Sequence, residues 1–257
     1  MTTATMEPER ALPSLLASGR YQAVLFDMDG VVTDTAGIHA SCWKQMFDEF
    51  LARRAQGNGP FRPFDIDTDY RIYVDGKPRY QGVRDFLHSR GIALPEGTHD
   101  SPPAEESVCG LGNRKNELVN ERLASSGVNP YPGTVALLRV LRQSGVRTAL
   151  VTSSQNAHLV LRAARVEELF DALVDGNVLA AQGLAGKPAP DSFLKAAEML
   201  GLPPPRAAVI EDAISGIQAG VRGGFGLVIG VARKNNAGEL KAQGAHVVVS
   251  DLAEFLP

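Results

Sequence analysis

The strongest constraint on this chain is a recurrence of short, apolar, β-prone runs separated by stretches of helical character. The first is Gln-Ala-Val-Leu-Phe-Asp, ending at Asp27, and the later ones are Val146–Val151, Ala207–Ile210, Phe225–Ile229 and His246–Val249. Helical stretches fall between them. One starts at Pro132, carries Val135, Leu137, Leu138 and Leu141 and stops at Gly145. Ala157–Arg165, Asp191–Leu200, Ala213–Arg222 and Ala237–Gln243 follow. Runs this apolar are strands buried on both faces, and their alternation with helices predicts an α/β fold. The expected core is a Rossmann-like parallel sheet with helices on both faces.

Residues 37–130 break the rhythm. Ile38–Ala52 reads as an amphipathic helix with Trp43, Met46, Phe47 and Phe50 on its apolar side. Gly57–Pro63 and Leu94–Pro103 are Gly/Pro-rich connectors, with further helices expected over Val83–Leu87 and Asn116–Leu123. The expected organisation is a core of residues 21–36 and 131–257, with a mainly α-helical cap domain inserted over 37–130. Two crossings, near Asp34–Gly37 and Asn129–Pro132, let such an insertion hinge as a lid. Residues 1–20 are expected to be a partly ordered leader.

Composition narrows the partners. Lysines and arginines total 26 against 29 acids, a net charge of -3, too balanced for a nucleic-acid binder. A small anionic substrate would instead need a local basic cluster. Cys42 and Cys109 have neither metal-ligand spacing nor a disulfide framework, which fits a reducing cytoplasm. The leader carries Glu7, Glu9 and Arg10 before a brief apolar stretch, unlike a secretory signal. No window approaches the roughly 20 apolar residues of a membrane helix. The expected location is the cytoplasm.

Four segments carry candidate chemistry. In Phe26-Asp27-Met28-Asp29-Gly30, alternate residues of an extended strand point the same way, so Asp27 and Asp29 project together beyond its carboxyl end. Carboxylates so close need a cation or a shared proton, which suits one to attack phosphorus while the other moves a proton. An ordinary Asp/Gly turn at a strand end is the competing explanation. Thr152-Ser153-Ser154-Gln155-Asn156 ends the next core strand, where hydroxyls and free N–H groups hold phosphate oxygens or simply cap a helix. Lys187, in Gly-Lys-Pro-Ala-Pro-Asp, can neutralise a transferring phosphoryl group or be a solvated surface lysine. Glu211 and Asp212 supply hard oxygen ligands of the kind Mg²⁺ takes, although Asp212 can equally cap the following helix.

All four lie, in this order, at carboxyl ends of expected strands. Together they resemble the haloacid dehalogenase superfamily, over about residues 21–257. That resemblance implies that Asp27 is phosphorylated and that Asp29 is general acid/base while giving a backbone carbonyl to Mg²⁺. It implies that Thr152 and Lys187 hold phosphoryl oxygens and that Glu211 and Asp212 complete the metal site. Within the superfamily the opening motif through Thr35, with His39 and Trp43, is similar to the β-phosphoglucomutase branch. So are Gly186–Asp191 and Gly216-Ile217-Gln218-Ala219-Gly220.

In the cap, Gly76-Lys77-Pro78-Arg79 resembles that branch's phosphate-gripping turn, and Arg114-Lys115-Asn116 its Arg-Lys-Asn segment. The implied reaction interconverts β-glucose 1-phosphate and glucose 6-phosphate through β-glucose 1,6-bisphosphate. Arg79, with Arg84 in reserve, would grip the distal phosphate, since a planar fork suits it. His39 would contact the substrate or Asp29, Ser153, Ser154, Gln155 and Asn156 would line the phosphate side, and Trp43 and Met46 would be cap core. A disaccharide phosphorylase is the implied metabolic partner.

Two departures stand out. Gln155 replaces the branch's lysine, and the cap carries extra residues around 53–75 and 92–112. The rivals are a sugar-phosphate phosphatase using the same nucleophile and, from another class, a catalytically inactive binding module. Intact Asp27, Asp29, Lys187 and Asp212 argue against the module. A lysine Schiff-base phosphonatase has no use for Asp29.

Overall fold

The computed structural model describes residues 20–55, 62–233 and 235–256, so the leader and most of the 57–63 connector lie outside the described residues. The chain splits into two compact units, one of residues up to Asp34 and from Asn129 onward, the other Thr35–Val128.

The inserted unit is built on α1 (Ala36–Ala55), α2 (Arg79–Ser89) and α3 (Val108–Ser126). Its core is aromatic. Phe47 is fully buried and stacks near Phe86, Phe64 and Trp43, at centroid distances of 4.1, 5.1 and 5.4 Å. Ile66–Val74, which sequence periodicity did not disclose, forms a π-helix. Asp65 caps it, accepting from the Thr68 N–H at 2.8 Å. Asp69 inside it pairs with Arg90 at 2.6 Å, and the Arg90 guanidinium lies over Phe86. A wide helical turn thus gains an ion pair and an aromatic seat that no local pattern announces.

In the core unit the strands are β1 (Ala23–Phe26), β2 (Arg147–Val151), β3 (Ala172–Val174), β4 (Ala207–Glu211), β5 (Leu227–Val231) and β6 (Val247–Val249). Among the described residues they form a parallel sheet in the order β3-β2-β1-β4-β5-β6. Both alternating sets of β1, Ala23 with Leu25 and Val24 with Phe26, are fully buried, so both faces of the sheet are covered. The helices are α4 (Pro132–Gln143), α5 (Ala157–Ala163), α6 (Gly176–Gln182), α7 (Asp191–Met199), α8 (Ile214–Arg222) and α9 (Ala237–Ala242). Phe193, Ala196 and Ala197 of α7 and Ile217 and Ala219 of α8 pack with Leu25, Val151 and Val209 in one cluster.

The chain builds outward from β1 through β2 to β3 and then returns to place β4 on the other side of β1. Strand order therefore reverses beside β1, where open α/β sheets bind ligands. Phe26 stands opposite both Leu150 and Ile210, so Asp27, Val151 and Glu211 emerge at the same edge. Two details depart from the sequence expectation. β5 runs over 227–231 rather than 225–229, because Phe225 packs edge-on against Phe193 (6.0 Å) before pairing begins. A shift of two residues leaves the facing pattern intact. β3 and α6 were not foreseen. Three residues are too few to show a period, and α6 is set by Asp175, whose Oδ1 accepts from the N–H groups of Asn177 and Val178. Among the described residues no helix is long and apolar enough to cross a membrane.

Phe47→Ala should cost about 3–5 kcal/mol. The fluorescence of Trp43, the single tryptophan, reports the loss in a denaturant titration, because its ring stacks on Phe47.

Candidate active site

The centre of the core unit is a buried charge cluster. Asp27 leaves the end of β1 with its N–H donating to the Ile210 carbonyl (3.0 Å), which fixes it against β4. Lys187 is 1 % exposed. Its Nζ donates to Asp27 Oδ1 at 2.5 Å, to Glu211 Oε1 at 2.7 Å and to the Val151 carbonyl at 3.2 Å. It also lies 4.9 Å from the centre of the Phe193 ring. Burial excludes the solvated-surface reading of this lysine. Glu211 Oε2 accepts from the Ala213 N–H at 2.9 Å, so both oxygens of Glu211 already have donors.

Two glycines make room for the acids. A Cβ on Gly30 would fall 2.0 Å from Asp212 Oδ2, and one on Gly216 would fall 1.8 Å from Glu211 Oε1. Gly30 also has φ +92°, which glycine adopts without strain. The Asp212 carboxylate therefore rests directly on the turn that follows Asp29. α8 starts at Ile214 with Ala213 as its cap residue, so Asp212 does not occupy the capping position. Carboxylate oxygens of Asp27, Glu211 and Asp212 lie within 4.8 Å of one another.

The electrostatics fit a divalent cation. Burial pushes the Asp27 carboxyl well above the usual carboxylate range; Lys187 opposes this, while Glu211 and Asp29 add to it. Burial also works against a charged Lys187, yet Asp27 and Glu211 together hold its ammonium protonated above its ordinary range. One ammonium faces several carboxylates, and the remaining negative charge is what a hard cation with oxygen ligands neutralises.

At the end of β2, Thr152 is buried and its Oγ1 accepts from the Ser154 N–H (3.1 Å). Ser154 Oγ in turn accepts from the Asn156 N–H (3.2 Å). Asn156 is the residue before α5 and makes no side-chain cap bond, so these hydroxyls shape the turn rather than cap the helix from that position. The Gln155 carbonyl accepts from Asn177 Nδ2 at 2.9 Å, which ties the turn to α6.

In the inserted unit, Lys115 is buried, 2.8 Å from His39 Nδ1 and 5.0 Å from the Trp43 ring centre. Trp43 and Met46 are core, as expected. Gly76 has φ +69° and opens the turn into α2. Arg79 is the first residue of α2, stacked over Tyr80 (4.9 Å) with Nη2 donating to its hydroxyl (3.1 Å). Lys77 is turned to Asp85 (2.7 Å) and the Ile72 carbonyl, and Arg84 is bound by Glu96. These acidic partners, eight and twelve residues away, are what spacing alone does not reveal.

Arg233, not singled out by the sequence, also reaches the site: its Nε donates to the Gly30 carbonyl at 3.0 Å. Its only signal is position, two residues past β5 at the ligand edge of the sheet.

A parallel sheet with two acids after its first strand, a buried lysine and a pair of acids at the end of β4 defines a phosphoryl-transfer type of α/β enzyme. The chain belongs to the haloacid dehalogenase-like hydrolase family, whose pattern matches residues 21–224, and to its β-phosphoglucomutase-like members. It is 48 % identical to the β-phosphoglucomutase of Mycobacterium bovis over 92 % of each chain. An uncharacterised glycosyl hydrolase of Mycobacterium tuberculosis is 37 % identical over 91 % of this chain but only 17 % of its own length. The solved β-phosphoglucomutase of Clostridium difficile superposes with a TM-score of 0.70 at 25 % identity, covering 91 % of this chain and 92 % of that one.

Because burial raises the Asp27 pKa, the metal-free protein is stabilised by this group at low pH and loses that stability as pH rises through its folded pKa. Asp27→Asn should therefore raise the Tm in chelator at pH 7.5, with the advantage over the parent shrinking as pH falls through the raised folded pKa toward the ordinary aspartate range. Thermal melts across pH check this, and a lower Tm at pH 7.5 contradicts it.

Proposed function

We propose that this enzyme is a β-phosphoglucomutase, interconverting β-glucose 1-phosphate and glucose 6-phosphate through β-glucose 1,6-bisphosphate. The observation that carries the reading is Lys187 buried against Asp27 and Glu211, in a chain 48 % identical to a β-phosphoglucomutase. Burial alone would neutralise the nucleophile, and Lys187 opposes that by holding positive charge at Asp27.

In the proposed reaction Asp27 attacks the phosphorus of the bisphosphate, the bond to the sugar oxygen breaks, and Asp29 gives that oxygen its proton. Run in reverse on the other hydroxyl, Asp29 takes the proton as the sugar oxygen attacks the aspartyl phosphate. Lys187 and Thr152 hold the phosphoryl oxygens, with the turn from Ser153 through Ser154 and Gln155 to Asn156 offering further donors. Mg²⁺, when bound, offsets the charge of the transferring group. The proposed ligands are Asp27, the Asp29 carbonyl and Asp212. Glu211, among the three clustered acids, stands behind them as counter-ion to Lys187.

Arg79 is the proposed grip for the second phosphate. Lys115, oriented by His39, is a second cation on the cap, and Gly76 with Lys77 shapes the turn before Arg79. The substrate implies a reaction that supplies it, phosphorolysis of a disaccharide. A relative in which a segment like this chain is about a sixth of a protein named as a glycosyl hydrolase supports that link.

With β-glucose 1-phosphate, magnesium and catalytic 1,6-bisphosphate, the protein should form glucose 6-phosphate. Stoichiometric free phosphate with no isomerised sugar would replace this reading by a phosphatase. Arg79→Ala should raise KM for the bisphosphate roughly tenfold to a hundredfold, about 1.4–2.8 kcal/mol, and an unchanged KM removes Arg79 from the site.

A further inference from the structure

One guanidinium in the core unit joins three segments far apart in the chain. Arg233 Nε donates to the Gly30 carbonyl (3.0 Å), directly after Asp29. Its Nη1 donates to Asp251 Oδ2 (2.7 Å) and the Ser250 carbonyl (3.1 Å). Its plane lies 3.7 Å from the centre of the Tyr131 ring, and the Tyr131 hydroxyl donates to Asp34 Oδ1 at 2.9 Å. Tyr131 and Asp34 flank the two points where the chain leaves and re-enters this unit.

The turn after β1 has its own closing bonds, from the Gly30 N–H to the Thr33 carbonyl and from the Thr33 N–H to Met28. Those bonds keep the turn's shape. They do not fix its direction against the rest of the sheet, because all of them lie within residues 28–33. Thr134 Oγ1 ties the Val31 carbonyl from outside at 2.7 Å and the Tyr131 N–H ties the Val32 carbonyl at 2.9 Å, while Arg233 supplies the outside tie at Gly30, the residue next to Asp29. A lysine could reach the same carbonyl, but it could not at once stack on Tyr131 and hold Asp251 with a fixed fork. Arg233 Nη2 is buried with no hydrogen-bond partner among the described residues, so the guanidinium is placed by what it braces rather than by full satisfaction of its own donors. The same connection reaches the neighbouring loop, where Asn236 Nδ2 lies 3.4 Å from the Asp212 carbonyl.

We propose that Arg233 is a positioning residue that aims Asp29 at the sugar oxygen by bracing the Gly30 turn. This rests on Asp29 being the general acid/base. The consequence is selective by leaving group. Proton transfer matters when the departing or attacking oxygen belongs to a sugar alcohol and matters little when the donor is acetyl phosphate, whose acetate leaves without a proton.

The test compares kcat on β-glucose 1-phosphate with the rate of Asp27 phosphorylation by acetyl phosphate, at saturating magnesium, in the full chain. Arg233→Ala should lower kcat on the sugar phosphate on the order of 10- to 100-fold with KM little changed. Phosphorylation by acetyl phosphate should stay within about threefold of the parent, as expected for a step that needs no general acid. Arg233→Lys, which keeps the charge opposite Asp251, should show the same selectivity and serves as the test if the alanine variant does not fold. Equal losses on both donors, or parental rates on both, overturn the proposal. A parent protein that releases phosphate without isomerising the sugar sinks the mutase reading instead, while the leaving-group comparison can still be made on its hydrolysis.

Discussion

The rest of the site depends on one buried ammonium. Lys187 draws together the ends of β1, β2 and β4 through Asp27, the Val151 carbonyl and Glu211. Removing two carboxylates and an ammonium from water is expensive, and a well-packed apolar trio would often be as stable. The arrangement makes chemical sense because burial by itself pushes the Asp27 carboxyl toward its neutral form, which cannot attack phosphorus. A lysine with two acidic partners stays charged where a lone one would shed its proton. The acids outnumber it, and that surplus is what a divalent ion bound there would neutralise.

Topology delivers these groups to one place. With β1 between β2 and β4, equal register on both sides brings three strand ends level, so side chains over 180 residues apart in sequence meet without long loops. What packs behind them is small. Ala23 stands opposite Ala207, Ala149 stands opposite Leu25, and α7 and α8 approach through Ala196, Ala197 and Ala219. At the front, Gly30 and Gly216 leave the volume that Asp212 and Glu211 occupy. Either glycine replaced by alanine would put carbon where a carboxylate oxygen lies.

The parts of this legible in sequence were those that a local pattern can carry. Asp27 and Glu211 end apolar runs, and a run's carboxyl end locates the ligand edge whatever the rest of the chain does. Lys187 was legible as a residue type on a Pro-flanked turn, but its burial was not, since that is set by partners 160 and 24 residues away. Arg233 was silent for the same reason, its acceptor on Gly30 being 203 residues distant. In the inserted unit the charges were visible and their engagements were not. Lys77 faces Asp85, Arg84 faces Glu96, and Arg79 is seated on Tyr80.

The proposed chemistry also says where selectivity has to reside. A phosphorylated Asp27 is equally open to attack by water or by a sugar hydroxyl, and the groups around it serve both reactions alike. On the proposed reading Lys187, Thr152 and the acids stabilise the same transferring phosphoryl group in either case. What separates a mutase from a phosphatase is the relative occupancy of the attacking position, and that depends on holding the sugar's far phosphate and excluding solvent. On that reading the core cluster supplies catalytic power and says little about product. The outcome on the proposed reading turns on the inserted unit's cations and on Gln155, a neutral residue where the family resemblance leads one to expect a lysine. If sugar still outcompetes water without that lysine, Arg79 and Lys115 must supply the missing hold.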